Sequence, residues 1–270
     1  NVLETFKNVN KNYYYADVNE LNFNNPNAVK TINDWIALKT HNKIKNVLSS
    51  IPADVMMYLI NALYFNGMWS QEFNKDMSFT DDFYGKNGVV QVKYMKNKSS
   101  YRYFNNDLLN AIELPYGNGN FVMHIFVNKP GKSLEDIIQA LTPANWKTWM
   151  GSFSSKTQVT VQIPKFKYDY RTSLNNPLTN MGLGNAFNPF SADFTGISQD
   201  DNLFISDVIH QTFIDVNEKG TEAAAVTVIE VSLTSLQPQE TFFTADRPFI
   251  YSISEKNTGA LLFMGKTGIP

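Results

Sequence analysis

Residues 220–238 read GTEAAAVTVIEVSLTSLQP. Taken two residues at a time, Thr221, Ala223, Ala225, Thr227, Ile229, Val231 and Leu233 share one face. Glu222, Ala224, Val226, Val228, Glu230, Ser232 and Thr234 share the other. One face suits a core and the other, carrying both glutamates, suits solvent. At about 3.3 Å per residue the 14 residues 221–234 span roughly 46 Å, longer than most single strands. Its first residues are small and poor β-formers, which suits a segment that slides into a sheet rather than nucleating one. The pattern predicts a strand held outside its sheet.

The rest of the chain supplies the sheet. Its 270 residues, 43% of them hydrophobic, close a large core, read as one domain. VMMYLINALYF at 55–65 is almost continuously apolar and predicts a central strand buried on both faces. Further strand-like segments are Val89–Met95, Asn110–Leu114, Phe121–Val127, Gln158–Ile163 and Ile205–Glu218, with a short one at Tyr15–Phe23. Helices are predicted over Val2–Tyr14, Ala28–Leu38 and Leu134–Met150. In the second of these Val29, Ile32, Trp35 and Ile36 form a stripe for lying on a sheet. Residues 117–120 read as a hairpin turn, and GLG at 182–184 as a turn or cap. The fold class is α+β.

Several functions are disfavoured. A net charge of −2 and scattered lysines give no footprint for nucleic acid. There is no cysteine, and His41, His124 and His210 lie far apart, so metal binding is not expected and no cofactor is implied. No apolar run has the length of a membrane span, and the polar, Asn-rich start is unlike a signal peptide. There is no GxSxG elbow. In ISDVIHQTFIDV, residues 205–216, His210 shares a strand face with Val208, Thr212, Ile214 and Val216. It reads there as a hydrogen-bonded core residue rather than a general base, so an enzyme is not expected.

A set of motifs, in order along nearly the whole chain, resembles the serpin family. They are INDWIALKTHNKI (32–44), NALYFNGMW (61–69), IPKFKYDY (163–170), MGLGNAFNPFSADFTGIS (181–198), EKGTEAAA (218–225), ADRPFIYSI (245–253) and LFMGKTGIP (262–270). The resemblance implies a large central sheet with packed helices, further sheets and an exposed reactive loop over about 219–243. It also implies four helices and a strand ahead of the segment where Asn1 begins, so the chain is expected to lack the family's first third.

In function the resemblance implies a suicide inhibitor of proteases. The target attacks the loop as a substrate and becomes an acyl-enzyme. It is trapped when the cleaved loop inserts into the main sheet, so the native protein is a kinetically trapped state. The hinge falls on Glu218, Gly220, Thr221, Glu222, Ala223, Ala224, Ala225 and Val226. Counting forward from Gly220 puts the attacked bond at Thr234–Ser235, and counting back from Phe243 puts it one residue later. Asn61 and His210 match a buried polar pair between adjacent strands, and Trp69 a tryptophan under the point of insertion. Lys165 and Glu218 match an ion pair there, or else form a solvated surface bridge.

A non-inhibitory carrier or chaperone, and an interaction protein that adds strands to itself, remain alternatives; the small Thr221, Ala223 and Ala225 favour inhibition. Val231, Leu233 and Leu236 flank the bond, and no lysine or arginine lies between Gly220 and Asp246. An elastase-like serine protease is therefore favoured over a trypsin-like one, with a chymotrypsin-like enzyme or a papain-like cysteine protease as the alternative if the register slips to Leu233 or Leu236. A monomer, and a secreted, periplasmic or cell-surface location, complete the expectation.

Overall fold

The computed structural model describes residues 1–199, 203–221 and 241–270. Two compact units share the chain, one of residues Asn1–Tyr64 and Tyr168–Phe213, the other of Phe65–Lys167 and Ile214–Pro270.

In the first unit the helix Glu4–Val9 runs into a wider π-turn, Asn10–Tyr14, and stops where Tyr15 takes a left-handed φ of 52°. The strand expected over Tyr15–Phe23 is absent: those residues join no ladder and are held by side chains. Asp17 accepts from the Trp35 indole at 2.9 Å and pairs with Lys39 at 2.8 Å, and Glu20 pairs with Lys7 at 2.7 Å. Without a neighbouring strand edge the backbone there has no ladder to join.

The helix Ala28–Lys39 follows the expected stripe. Ile36 is fully buried with Ile44, Val47 and Leu48 against Ile209 and Phe213, and Val29, Ile32 and Trp35 pack around them. The helix ends at Thr40, whose hydroxyl and backbone N–H both return to the Ile36 carbonyl, before His41 and Asn42 turn the chain with positive φ.

Beneath this helix the strand Tyr58–Tyr64 pairs in parallel with Asp207–Phe213. The strand predicted from Val55 is shorter and one-sided. Tyr58, Ile60, Ala62 and Tyr64 face the helix, whereas Leu59 is 43% exposed and Asn61 is open to solvent. Among the described residues this stretch has a ladder on one edge and a helix on one face, so an unbroken apolar run does not yield two buried faces.

The second unit is mostly antiparallel. One 18-residue strand, Gly88–Asn105, runs far beyond the predicted Val89–Met95 because different partners take its two parts. Its first part pairs with Phe79–Gly85, and residues from Tyr94 onward with Thr157–Pro164. Its end pairs with Leu109–Tyr116. From there the ladder continues through Phe121–Asn128 and Phe249–Glu255 to Leu261–Thr267. Thr241–Thr244 lies parallel to Val159–Gln162 at the opposite end. The predicted turn at 117–120 joins two of these strands, with Gly117 and Gly119 at φ 49° and 89°, where a side chain would be strained.

The single helix expected over Leu134–Met150 is two, Leu134–Ala140 and Pro143–Gly151. Pro143 supplies no N–H to the preceding turn and fits the first helical position, with Thr142 capping through its hydroxyl to the Asn145 amide. Ser133 and Asp136 cap the first helix reciprocally. Trp149 packs with Phe104, Phe126 and Phe153 in the core of this unit.

Beside that core Glu113, 5% exposed, is gripped by Arg102 at 2.8 Å and Lys256 at 3.0 Å, with the His124 ring 3.6 Å away. Burial works against its ionisation. The His124, Lys256 and Arg102 contacts outweigh that and bring the carboxyl down to about 2.

Candidate functional site

The strand Asp207–Asn217 contributes to both units, and its two parts are paired differently. Within the first unit, Asp207–Phe213 lies directly against Tyr58–Tyr64, with Asn61 opposite His210. The His210 Nδ1 and Asn61 Oδ1 are 3.0 Å apart. Partial burial lowers the His210 pKa, which favours the neutral ring that one hydrogen bond satisfies. The pair is not the buried one expected, because Asn61 is exposed. The expected common face of His210 is buried at Val208, Ile214 and Val216 but more open at His210 and Thr212.

Within the second unit a two-residue strand, Gly220–Thr221, stands between Val216–Asn217 and Gly67–Met68, antiparallel to both. The tight turn at 217–220 that brings it there demands glycine. Gly220 has φ 148°, and a Cβ on it would lie 2.1 Å from the Gly67 carbonyl oxygen.

Thr221 is wholly buried, and its hydroxyl lies 2.8 Å from that of Tyr116. Burial pushes the Tyr116 phenol up, so it stays a neutral hydrogen-bonding group. Tyr116 in turn stacks on Trp69, ring centres 4.3 Å apart and planes 13° from parallel. The Trp69 indole donates to the Asn217 carbonyl at 2.9 Å, and its backbone N–H to Lys219 at 3.0 Å.

Glu218 is the second anchor. Its carbonyl accepts from the Phe73 amide at 2.8 Å. Its carboxylate is 3.1 Å from the Lys165 ammonium and accepts from the Ser78 hydroxyl at 2.8 Å. At 5% exposed this is no solvated surface bridge, although Lys165 keeps about a third of its side chain in water. Burial raises the Glu218 pKa. Its backbone N–H, Ser78 and Lys165 more than offset that and hold it below the ordinary value.

Of the residues singled out in the sequence, Trp69, Lys165, Glu218, Gly220 and Thr221 thus gather around one turn. Asn61 and His210 form their own pair. Glu222, Ala223, Ala224, Ala225, Val226, Val231, Leu233, Thr234, Ser235 and Leu236 lie outside the described residues. Sequence reasoning missed Tyr116, Ser78, Phe73 and Gly67. Each is remote in sequence from 217–221 and carries no local signal beyond Gly67 sitting in NALYFNGMW. Among the described residues no helix is long and apolar enough to cross a membrane, and no group of three acidic or histidine side chains could hold a metal.

Mixed sheets with packed helices, with a glycine-led strand paired on both of its edges, define an α+β protein. The chain belongs to the serpin family: the family model, described as serpin (serine protease inhibitor), matches residues 1–270. It is 37% identical, over its whole length, to an uncharacterised serpin-like protein of Methanosarcina acetivorans, of which it spans 64%. It is 33% identical to mouse antithrombin-III over 99% of its length and spans 59% of that protein. The thermophilic serpin tengpin in its native state superposes with a TM-score of 0.91 at 29% identity, covering all of this chain and 70% of tengpin.

Proposed function

We propose that this chain serves a suicide-type protease inhibitor. A serine protease cleaves the segment beyond Thr221 at Thr234–Ser235 and is trapped as an acyl-enzyme when that segment enters the sheet. The observation that supports this reading most is the Gly220–Thr221 strand, paired on both edges while Tyr58–Tyr64 and Asp207–Phe213 still pair directly with each other.

The two registers agree on what insertion would do. Thr221 pairs with Val216 on one side and Gly67 on the other. Continued without slip, both ladders put residue 224 opposite Tyr64 and Phe213, which are already partners, and residue 227 opposite Asn61 and His210. One parallel ladder of seven residue pairs would become two antiparallel ones. At about 0.5–1.5 kcal/mol net per hydrogen bond, one additional ladder of that length contributes roughly 4–10 kcal/mol, before side-chain burial. Residues 223, 225, 227 and 229 would share the buried face of Thr221.

The apolar and small residues flanking the bond, Val231, Leu233 and Leu236, favour an elastase-like target over a trypsin-like one. The inhibitor acts as a monomer. Incubation with a small panel of serine proteases, followed by denaturing electrophoresis and mass spectrometry, tests this. The expected result is an SDS-stable adduct formed faster with elastase than with trypsin, with cleavage at Thr234–Ser235 or one residue later. Plain cleavage without adduct by every protease overturns the inhibitory reading, and rapid trapping of trypsin overturns the specificity alone.

A further inference from the structure

The chain contains three Asn-Gly pairs, at 66–67, 87–88 and 118–119. Asn-Gly is chemically fragile. With no side chain on the following residue, its amide nitrogen can reach the asparagine side-chain carbonyl carbon. Asn87 and Asn118 are exposed in hairpin turns ahead of glycines at φ 124° and 89°. Asn66 is also exposed, outside any strand, and among the described residues no hydrogen bond holds its side chain. The glycines after Asn87 and Asn118 are held within their own hairpins, Gly119 donating to the Tyr116 carbonyl at 2.7 Å and Gly88 closing a two-residue turn opposite Gly85. Gly67, in contrast, is engaged by a strand remote in sequence. Gly67 is the residue opposite Thr221. The Trp69 amide donates to the Lys219 carbonyl across the same ladder. Bonded pairs alternate along an antiparallel ladder, so the next one is Gly67 with Thr221, and the Gly67 N–H is held by the Thr221 carbonyl.

We propose that Asn66 is a deamidation site gated by the hinge: the Gly67 nitrogen is protected while Thr221 is paired to it and becomes the nucleophile when that strand is released. The Gly67 nitrogen, giving its proton to solvent hydroxide, attacks the Asn66 Cγ. The Cγ–Nδ2 bond breaks, ammonia leaves, and a succinimide closes. Water opens the ring at either carbonyl to give aspartate or isoaspartate.

Gly67 has little room to adjust. A Cβ built on it would meet the Phe65 ring at 2.9 Å and Tyr116 at 3.1 Å, and its own carbonyl crowds Gly220. The isoaspartyl product adds a main-chain carbon directly before this residue and pushes the short strand out of register with Gly220–Thr221. Release of the hinge thus exposes a reaction that prevents its return. This chemistry does not depend on the inhibitory reading.

The intact chain is aged at mildly alkaline pH, and deamidation at the three asparagines is followed by peptide mass spectrometry. The same chain unfolded in denaturant is the unprotected reference, and Asn87 and Asn118 are controls whose glycines do not depend on the hinge. Asn66 should react about three- to tenfold more slowly in the folded chain than in the unfolded one, the protection expected of one backbone hydrogen bond. Gly220→Ala, whose Cβ cannot coexist with the Gly67 carbonyl, should raise the Asn66 rate toward that of the unfolded chain and leave Asn87 and Asn118 unchanged. Thr221→Pro, whose ring obstructs the same ladder, provides a second release. Circular dichroism melting confirms that each variant remains folded. An Asn66 as fast in the folded chain as in the unfolded one, one that never reacts, or one indifferent to both substitutions in folded protein overturns the proposal.

Discussion

Replacing Thr221 by arginine tests whether the short strand is a working hinge. Thr221 has no exposed surface, and the space around its hydroxyl is closed by Tyr116, itself stacked on Trp69. An arginine here would carry its charge into that contact, and the Glu218 carboxylate is already committed to Lys165 and Ser78. An unpaired ion in such a place costs on the order of 3 kcal/mol or more after relaxation. That shifts the balance between paired and released hinge by at least about a hundredfold. The variant should leave the hinge released and, under the proposed inhibitory function, be cleaved as a substrate instead of forming an adduct. Hydrogen exchange reads the first effect directly, since the amides of Gly67 and Trp69 lose their partners. The ratio of SDS-stable adduct to cleaved protein reads the second. Protected amides together with an unchanged ratio would refute the reasoning.

His210→Ala removes the 3.0 Å contact to Asn61, but Asn61 can turn to water, so the loss should be about 0.5–1.5 kcal/mol rather than the larger cost of a buried orphan. The two strands should part more readily on mild warming, visible as added oligomer or inactive monomer on native gels; equal conversion rates would make the pair incidental. Glu113→Gln should be less stable than the parent near neutrality and indistinguishable from it in strong acid. The fall of the carboxyl from an ordinary 4.5 to about 2 contributes about 3 kcal/mol that is complete above pH 4.5 and lost as pH drops toward 2. Denaturant titrations from pH 7 to pH 2 should show the gap closing, and a constant gap would count against an ionised, paired Glu113. A single nick near Thr234 should raise the Tm, because a new strand gains its ladders, whereas an unchanged or lower Tm would argue against insertion.

Much of this protein was legible in local sequence. The stripe Val29, Ile32, Trp35 and Ile36 determined a helix lying on a sheet, because burying such a stripe needs only some apolar surface opposite it. Gly117 and Gly119 determined a hairpin, because the turn geometry excludes most other residues. Motif order alone pointed to the family. Other features depended on distant partners. VMMYLINALYF could not reveal that one face stays partly open, since burial belongs to whatever packs against a strand. The length of Gly88–Asn105 came from the strands that share it. Leu134–Met150 became two helices at Pro143, a break whose cue was present in the sequence.

At the candidate site the sequence determined which residues could act, and tertiary structure decided how they are held. Glycine at 220 and a small residue at 221 were visible in the chain. That a Cβ at 220 would strike the Gly67 carbonyl, and that the Thr221 hydroxyl meets Tyr116, rests on residues more than a hundred positions away. Whether Lys165–Glu218 is a surface bridge or a buried anchor could not follow from charge and spacing. Only the fold removes Glu218 from water and brings it to Ser78. Side-chain chemistry is written locally, but desolvation and register are properties of the packed chain.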